Sequence, residues 1–112
     1  MEIYKIFLIS EWNLFEETGK SNGSAIDHSD GYIHFSTAKQ LRETAQKYFK
    51  EECEFELLAC DSKSLKKNIK WERSRGGGLF PHLYGQLLFS DIKWHMTIKL
   101  GALGHVFPSE IK

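Results

Sequence analysis

The stretch from Asp30 to Thr37 constrains this chain more than any other, because it predicts a strand that ends where a helix begins. Side chains alternate across a strand, so the apolar pair Ile33 and Phe35 can enter a core. The opposite face carries a polar row of Tyr32, His34 and Ser36. A buried strand rarely carries a titratable ring and a hydroxyl at alternate positions, and a solvent-exposed face more often carries Lys, Glu or Thr. The pattern therefore favours a strand that lines a cleft.

The residues before this stretch predict a strand, a helix and a loop. The apolar run over residues 3–9 predicts a buried strand. Ser10 is typical of an N-cap and Gly19 of a C-terminal stop, so we expect a helix over residues 11–18. Residues 20–30 are rich in Ser, Asn, Gly and Asp, which predicts a polar loop.

A second helix and a long strand are predicted after the polar row. Thr37 and Gln40 have the spacing of a capping box, and apolar residues then recur at helical spacing as far as about Lys50. Residues 53–60 alternate in the manner of a strand. One face of that strand carries Phe55, Leu57 and Ala59.

The second half of the chain predicts mostly β-structure. The expected elements are a helical turn near Leu65 and short strands over residues 69–72, 86–90 and 93–100. Residues 101–112 have the composition of a loop-like tail. This order predicts one α+β domain over residues 1–112, with its core at about 3–100, two principal helices and a small, mainly antiparallel sheet.

Composition excludes several classes of protein. The chain has 41% hydrophobic and 27% charged residues and a formal net charge of +0, so no overall field attracts it to nucleic acid or membrane. No apolar stretch approaches transmembrane length. Cys53 and Cys60 lack the spacing of a zinc site. We therefore expect no metal, no membrane contact and a cytoplasmic protein with reduced thiols.

The charges are distributed unevenly along the chain. Residues 1–60 carry 6 Lys and Arg against 11 Asp and Glu, whereas residues 61–112 carry 9 against 4. The asymmetry either reflects complementarity within the fold or places a positive wall on one side of a cleft.

His34 and Ser36 are neighbours at strand spacing, but no elbow motif of a serine hydrolase accompanies them. Two interpretations stay open for Ser36. The hydroxyl can line the cleft near a helix N-terminus, which attracts phosphate. Alternatively, Ser36 or Thr37 only caps the helix, and His34 bonds the backbone.

Glu72 and the residues after it form a second candidate group. A carboxylate beside Trp71 can stabilise a developing cation or bind ribose hydroxyls, although a surface ion pair with Arg73 or Arg75 is the alternative. The two arginines precede a triple-glycine run, and together they can cradle phosphate, but no P-loop lysine follows. The basic residues of this region can touch RNA or form a solvated face: Lys63, Lys66, Lys67, Lys70, Arg73 and Arg75.

Residues 79–85 contain an unusual group of rings around Pro81. If the segment is extended, His82 and Tyr84 share a face. The alternative is a structural corner whose apolar side chains enter the core. The other histidines, His28, His95 and His105, have no spacing that indicates a metal site.

At residues 31–37, Trp71–Glu72 and residues 80–85, the chain resembles a small family called domain of unknown function 952. The resemblance covers residues 3 to about 100. That family resembles the ADP-ribosyltransferase-like fold, whose members include the RNA 2′-phosphotransferases. The shared layout is a first strand, a short helix ending at Gly, and a strand with a His-x-Ser sequence. Its counterparts in this chain are Tyr4, Trp12, Gly19, His34 and Ser36.

The resemblance implies a split sheet with a cleft able to hold NAD. In such enzymes a Glu often bonds the ribose 2′-hydroxyl and stabilises an oxocarbenium-like transition state. The resemblance implies that Glu72 has this role and that His34, which lines the pocket, is the second catalytic residue. The implied ligand contacts are Tyr4, Lys5, Tyr32, Ser36, Arg73, Arg75, His82 and Tyr84. Related sequences usually have His where this chain has Lys5.

Three hypotheses of function follow from the sequence and the resemblance. The first is an ADP-ribosyltransferase-like enzyme that uses NAD or a phosphorylated ribose, with a small nucleotide or an RNA end as its partner. The second is a non-catalytic module that binds a nucleotide or phosphate. The third is a protein-interaction domain with a vestigial cleft. The oligomeric state is not indicated by the sequence.

Overall fold

A computed structural model describes residues 1–74 and 77–111 of the chain. Its helices are α1 (Ile9–Thr18), α2 (Ala25–Asp30) and α3 (Ala38–Tyr48). Its strands are β1 (Glu2–Phe7), β2 (Lys20–Ser21), β3 (Ile33–His34), β4 (Glu54–Asp61), β5 (Ile69–Arg73), β6 (Leu79–Leu83), β7 (Leu87–Leu88), β8 (Ile92–Gly101) and β9 (Gly104–His105). Every named strand pair is antiparallel, so the predicted α+β class is confirmed.

The strands form three sheets. A four-stranded sheet has the order β1-β4-β8-β9, a three-stranded sheet has the order β3-β6-β5, and β2 pairs with β7. The long strands β4 and β8 build the first sheet, with one register irregularity between Ala59 and Cys60. In the three-stranded sheet β5 is the edge strand that follows the short 3-10 helix Lys66–Asn68.

Apolar residues cover both faces of the four-stranded sheet. On one face Ile3 and Phe7 of β1 pack with Phe15 of α1 and with the buried residues of β3 and β6. On the other face Tyr4 and Ile6 pack with α3. The alternation along β1 therefore sends successive side chains into two cores, as strand geometry requires. The face predicted for β4 is confirmed, because Phe55, Leu57 and Ala59 all lie in the second core.

The first helix is confirmed, but its predicted cap is wrong. The helix begins at Ile9, and the backbone N–H of Leu8 donates to Glu11 Oε1 at 2.8 Å. Ser10 therefore lies within the first turn. The carboxylate of Glu11, three residues after Leu8, accepts the hydrogen bond of the Leu8 backbone N–H at the start of the helix. Gly19 ends the helix as expected, in the left-handed conformation at φ 79°.

The prediction of a loop over residues 20–30 is wrong, since the segment contains β2 and α2. The backbone N–H of Ser24 donates to Asp27 Oδ2 at 2.8 Å, which is the second half of a capping box. This Ser-x-x-Asp spacing was the signal for a helix, and the surrounding Gly, Asn and Ser residues obscured it.

The predicted polar strand passes between two sheets. His34 pairs with His82 in the three-stranded sheet, whereas Ser36 forms an isolated antiparallel bridge with Tyr4 of the other sheet. Regular strand is therefore limited to Ile33–His34. The following capping box is confirmed: Thr37 N–H donates to Gln40 Oε1 at 3.0 Å, and Gln40 N–H donates to Thr37 Oγ1 at 3.3 Å.

The C-terminal tail has structure that the sequence did not indicate. It contains β9, which pairs with the end of β8, and it buries Ile111 in the second core. Arg42 of α3 donates to the carbonyl oxygen of Ile111 at 2.7 Å. Among the described helices, none is long and apolar enough to cross a membrane.

Candidate functional site

One face of the three-stranded sheet carries the rings and carboxylate that the sequence singled out. We call it the aromatic face; it consists of Tyr32, His34, Glu72, His82 and Tyr84. Its members come together because His34 lies opposite His82 in the β3–β6 register, and Glu72 lies two residues along β5 from the partner of His82. Ile33 and Leu83, which alternate with them, are buried in the first core on the opposite side.

Glu72 lies between two donors on β6 and the residue after it. Its Oε1 atom accepts from His82 Nδ1 at 2.9 Å and from the Tyr84 hydroxyl at 2.7 Å. The hydrogen bond from Tyr84, followed by that from His82, lowers the pKa of Glu72. The same bond raises the pKa of Tyr84 to about 12. Glu72 is therefore an ionised acceptor at neutral pH, and its Oε2 atom has no bonding partner among the described residues.

The rings of the aromatic face stack closely. Tyr32 lies on His82 with ring centroids 4.2 Å apart and an interplanar angle of 26°, and it also contacts Tyr84 at 5.2 Å and His34 at 4.7 Å. His82 is buried, with 2% of its surface exposed. Its Nε2 atom has no hydrogen-bond partner within the described part of the chain. A buried polar atom without a partner is rare and points to an unfilled interaction.

His34 connects the aromatic face to a buried carboxylate, Asp27. Its Nδ1 atom lies 2.5 Å from Asp27 Oδ1, and Lys5 Nζ lies 2.6 Å from Asp27 Oδ2. Burial alone would raise the pKa of Asp27, but the hydrogen bond from His34 and the charge of Lys5 outweigh it and hold that pKa well below its usual range. The other ring nitrogen of His34, Nε2, lies 3.0 Å from Asp30 Oδ2. Both nitrogens of this ring thus face carboxylates.

Two of the other predicted site residues lie elsewhere. Tyr4 packs in the second core, where its hydroxyl donates to Glu2 Oε1 at 2.9 Å. The hydroxyl of Ser36 donates to Thr44 Oγ1 of α3 at 3.3 Å. The structure therefore does not bring either side chain to the aromatic face, whereas it brings Lys5 into contact with Asp27 behind His34.

The basic residues lie at the exposed edge of the same sheet. Lys70 Nζ lies 4.7 Å from the centroid of the Tyr84 ring. Arg73, at the end of β5, donates to the carbonyl oxygen of Gly77 at 3.0 Å. Arg75, the second arginine predicted to bind ligand, lies outside the described residues, as does part of the glycine run.

Sequence reasoning missed Asp27 and Asp30, because both fell in the segment interpreted as a loop. Asp27 could have been found from its position three residues after Ser24, which is that of a capping-box acid. No local pattern shows that the capping oxygen Oδ2 also reaches Lys5, or that Oδ1 reaches His34, because those contacts join three separate elements.

Depressions elsewhere on the surface do not include the aromatic face. One of about 320 Å³ is lined by α1 and the segment around Ser21, and another of about 460 Å³ lies between α3 and the tail. The aromatic face is instead open, with the Glu72 side chain 38% exposed and Tyr84 37% exposed. Among the described residues, no group of three or more His, Cys, Asp or Glu is placed to hold a metal ion.

Comparison with known proteins identifies relatives of the whole domain. The model of a family described as "Protein of unknown function (DUF952)" matches residues 6–95. The crystal structure of protein CC0527 from Caulobacter crescentus is 42% identical, covers 94% of this chain and 92% of that chain, and has a TM-score of 0.88. A solution NMR structure of CC0527 is also 42% identical, covers 93% and 90% of the two chains, and has a TM-score of 0.83. No curated protein matches the chain.

Proposed function

The chain belongs to the DUF952 family of proteins of unknown function, and we propose that its aromatic face binds a nucleotide for ADP-ribosyltransferase-like chemistry. The ligand is NAD or a phosphorylated ribose. The observation that carries this proposal is the position of Glu72, which two donors hold on an open face beside a stack of rings.

The protonation state of Glu72 decides its role. Because hydrogen bonds from Tyr84 and His82 lower its pKa, the group is ionised and cannot serve as a general acid. An ionised Glu72, whose Oε2 atom has no partner among the described residues, can accept a hydrogen bond from a ribose hydroxyl. It also stabilises positive charge that develops on a neighbouring atom, since the donors on Oε1 fix its position in advance.

The rings supply a surface for a planar group. The ring centroids of His82 and Tyr84 lie 4.2 Å and 5.2 Å from that of Tyr32. Aromatic rings favour offset or tilted contact with a further ring, so a nicotinamide or a nucleobase can pack against the exposed parts of Tyr32 and Tyr84. The unpartnered Nε2 atom of His82 offers a hydrogen bond to a group that reaches below Tyr32.

His34 has a supporting role in this proposal. Asp27 fixes the orientation of its ring through Nδ1, while Asp30, which is 39% exposed, occupies Nε2. A ligand oxygen can replace the exposed Asp30 as the partner of Nε2. His34 would then hold the ligand beside Glu72.

The reaction proposed for NAD is loss of nicotinamide from C1′ of the ribose. The C1′–N bond breaks, its electron pair leaves on the nicotinamide nitrogen, and positive charge develops at C1′ until an acceptor adds. Glu72 stabilises that charge electrostatically, and His82 and Tyr84 prevent the carboxylate from turning away.

An amide NMR titration with NAD, ADP-ribose and a 2′-phosphorylated ribonucleotide tests binding, and nicotinamide release tests turnover. We expect shifts centred on Tyr32, His34, Glu72 and His82. Glu72→Gln removes the charge but keeps the shape, so it should lower turnover by about 10²–10³-fold. The matched control is Glu43→Gln on α3, where the carboxylate is 75% exposed. Equal turnover of the two variants would refute the role of Glu72.

A non-catalytic binding module is the second candidate. It is favoured by the two carboxylates beside His34, because Asp27 and Asp30 engage both nitrogens of this ring and Asp27 also pairs with the buried Lys5. The two candidates differ in product: the module gives saturable amide shifts but no nicotinamide or transferred phosphate after long incubation.

A further inference from the structure

We infer that the exposed edge of β5 binds the phosphodiester backbone of a single-stranded RNA whose end reaches the aromatic face. We call this surface the basic edge; it consists of Lys66, Lys67, Lys70 and Arg73. The inference rests on the proposed function, because it names the class of substrate that the aromatic face takes.

The charge of this region is concentrated in one short segment. Between residues 63 and 75 the sequence has six Lys and Arg and a single acid, Glu72, although the whole chain has a net charge of +0. All four residues of the basic edge are exposed. They lie on the edge strand and on the 3-10 helix that leads into it, so they flank one side of the sheet. By strand alternation Lys70 lies on the aromatic face and Arg73 on the opposite face, so cations line both sides of the edge strand and can contact a polyanion that follows the edge.

Lys70 joins the basic edge to the aromatic face. It lies opposite His82 in the β5–β6 register, and its Nζ atom lies over the Tyr84 ring at 4.7 Å. A phosphate held by Lys70 would therefore place its own nucleoside beside Tyr84 and Glu72. The next phosphates along the chain would lie towards Lys67 and Lys66.

One acid of the aromatic face lies among these cations. Glu72 follows Lys70 by two residues on β5 and shares its face of the sheet, whereas Asp27 is buried behind His34 and paired with Lys5. Phosphates are repelled by Glu72 and attracted by the lysines, whereas Glu72 Oε2, which has no partner among the described residues, can accept from a hydroxyl. The 2′-hydroxyl of RNA is such a donor and DNA lacks it, so the arrangement favours RNA over DNA.

Exposed rings provide stacking surfaces on both sides of the edge. Trp71 follows Lys70 in β5, points to the other face of the sheet and is 43% exposed, while Tyr84 is 37% exposed on the aromatic face. Bases of a single strand that crosses the edge can stack on each ring without regard to sequence. Rings interleaved with lysines are the usual combination in proteins that bind single strands.

Fluorescence anisotropy with a labelled single-stranded RNA octamer, over a series of salt concentrations, tests the inference on the full chain. The test variant carries Lys66→Gln, Lys67→Gln and Lys70→Gln. The matched control carries Lys39→Gln, Lys47→Gln and Lys50→Gln on and just after α3, which remove the same charge from exposed positions of another surface.

We expect the RNA to bind wild type and control alike, more tightly than ADP-ribose and more tightly than the DNA octamer of the same sequence. In the test variant the slope of log affinity against log salt should fall in magnitude by about 2, since each phosphate contact contributes about 0.7 for single strands. Trp71→Ala should weaken RNA binding by about tenfold.

The outcomes separate this inference from the proposed function. Equal loss in the test and control variants, equal affinity for RNA and DNA, or RNA binding no tighter than ADP-ribose would overturn the inference. If ADP-ribose still shifts the amides of Tyr32, Glu72 and His82 in that case, the proposed function stands without it. If neither RNA nor any nucleotide binds, both fail.

Discussion

Asp27 is the residue on which most polar contacts behind the aromatic face converge. Its two oxygens lie within hydrogen-bond distance of Lys5 Nζ, His34 Nδ1 and the backbone N–H groups of Ser24 and His34. The side chain is buried, as is that of Lys5. A buried charge is tolerated only when it is paired and hydrogen-bonded, so each partner depends on the other.

Replacement of Asp27 by Asn should therefore destabilise the fold strongly. It leaves the Lys5 ammonium buried without a counter-ion, and loss of one partner of such a pair costs about 3–5 kcal/mol. The double variant Lys5→Met with Asp27→Asn should recover part of the lost free energy of unfolding, because the unpaired charge is gone. Urea denaturation measures each value. A double variant no more stable than Asp27→Asn would contradict this account.

Asp27 also gives the stability of the wild type a pH dependence whose sign follows from the lowered pKa. The pKa of Asp27 is lowered in the folded state, so its contribution to stability is present above the unfolded value of about 3.9 and is lost as pH falls. The free energy of unfolding of the wild type should therefore drop more steeply than that of Asp27→Asn below about pH 4. If the free energies of unfolding of the two proteins run parallel over this pH range, the pKa of Asp27 does not change on folding.

Five site residues were indicated by local pattern, and the structure brings these five together. Alternation placed Tyr32 with His34 and His82 with Tyr84, and the composition around Trp71 singled out Glu72. Tyr4 and Ser36 do not join them, since β1 and the chain after His34 turn those side chains towards α3. The contact of Tyr4 came from the resemblance alone, which carried no information about side-chain direction. Ser36 was placed in the polar row by alternation, and that placement is wrong because the chain leaves the three-stranded sheet after His34.

At the scale of elements, α2 shows how a short segment can be stabilised by one side chain. The helix has six residues, too few to be stable alone. Asp27 caps it through Ser24 N–H and ties it to β3 through His34. Gly23 precedes the cap at φ 97°, and a Cβ atom there would collide with the Asp27 side chain. The approach to α2 thus requires glycine for both conformation and space.

Gly23→Ala should be more harmful than Gly31→Ala at the other end of α2. Gly31 is also left-handed, at φ 86°, but nothing lies near its Cβ position, so its substitution costs only the strain of about 1–2 kcal/mol. Gly23→Ala adds a displacement of Asp27, which should also shift the amide resonance of His34. Thermal unfolding and amide spectra of both variants measure this. Equal losses with an unmoved His34 amide would contradict the expected clash.

Element boundaries were wrong where a tertiary contact competed with local chemistry. Ser10 has the right type for a cap, but the Glu11 carboxylate reaches Leu8 and the helix begins earlier. The strand expected as far as Ser36 ends at His34, because the chain leaves one sheet there and bridges to Tyr4 of the other. The alternating pattern of the sequence continues through this exchange although Ser36 leaves the row, so the sequence contains no signal for the exchange.

At the scale of the whole molecule, the tail contributes to the second core. Ile111 is 2% exposed among residues of β1, β4 and α3, and Arg42 bonds its carbonyl oxygen. Ile111→Ala should lower the free energy of unfolding by about 2–5 kcal/mol, as for a buried aliphatic residue. The control Val106→Ala, at a position 65% exposed, should change it by less than about 0.5 kcal/mol.

Chemical denaturation of both variants, with amide spectra of the folded forms, checks this expectation. The resonances of Tyr32, Glu72 and His82 should stay in place, because the second core and the aromatic face lie on different layers. If Ile111→Ala is as stable as Val106→Ala, burial of Ile111 does not stabilise the second core.

By itself, the sequence determined which faces of the elements are apolar and where several of them begin or end. Helical spacing defined α3, an apolar run defined β1, alternation defined β4, and the Thr37 capping box and Gly19 stop acted locally. These features depend on residues within a few positions of each other, so a pattern records them. Only the tertiary structure decided that Glu72 lies between His82 and Tyr84, and that Asp27 lies between Lys5 and His34. Those contacts depend on the register of separate strands, where a shift of one residue would turn every side chain to the opposite face.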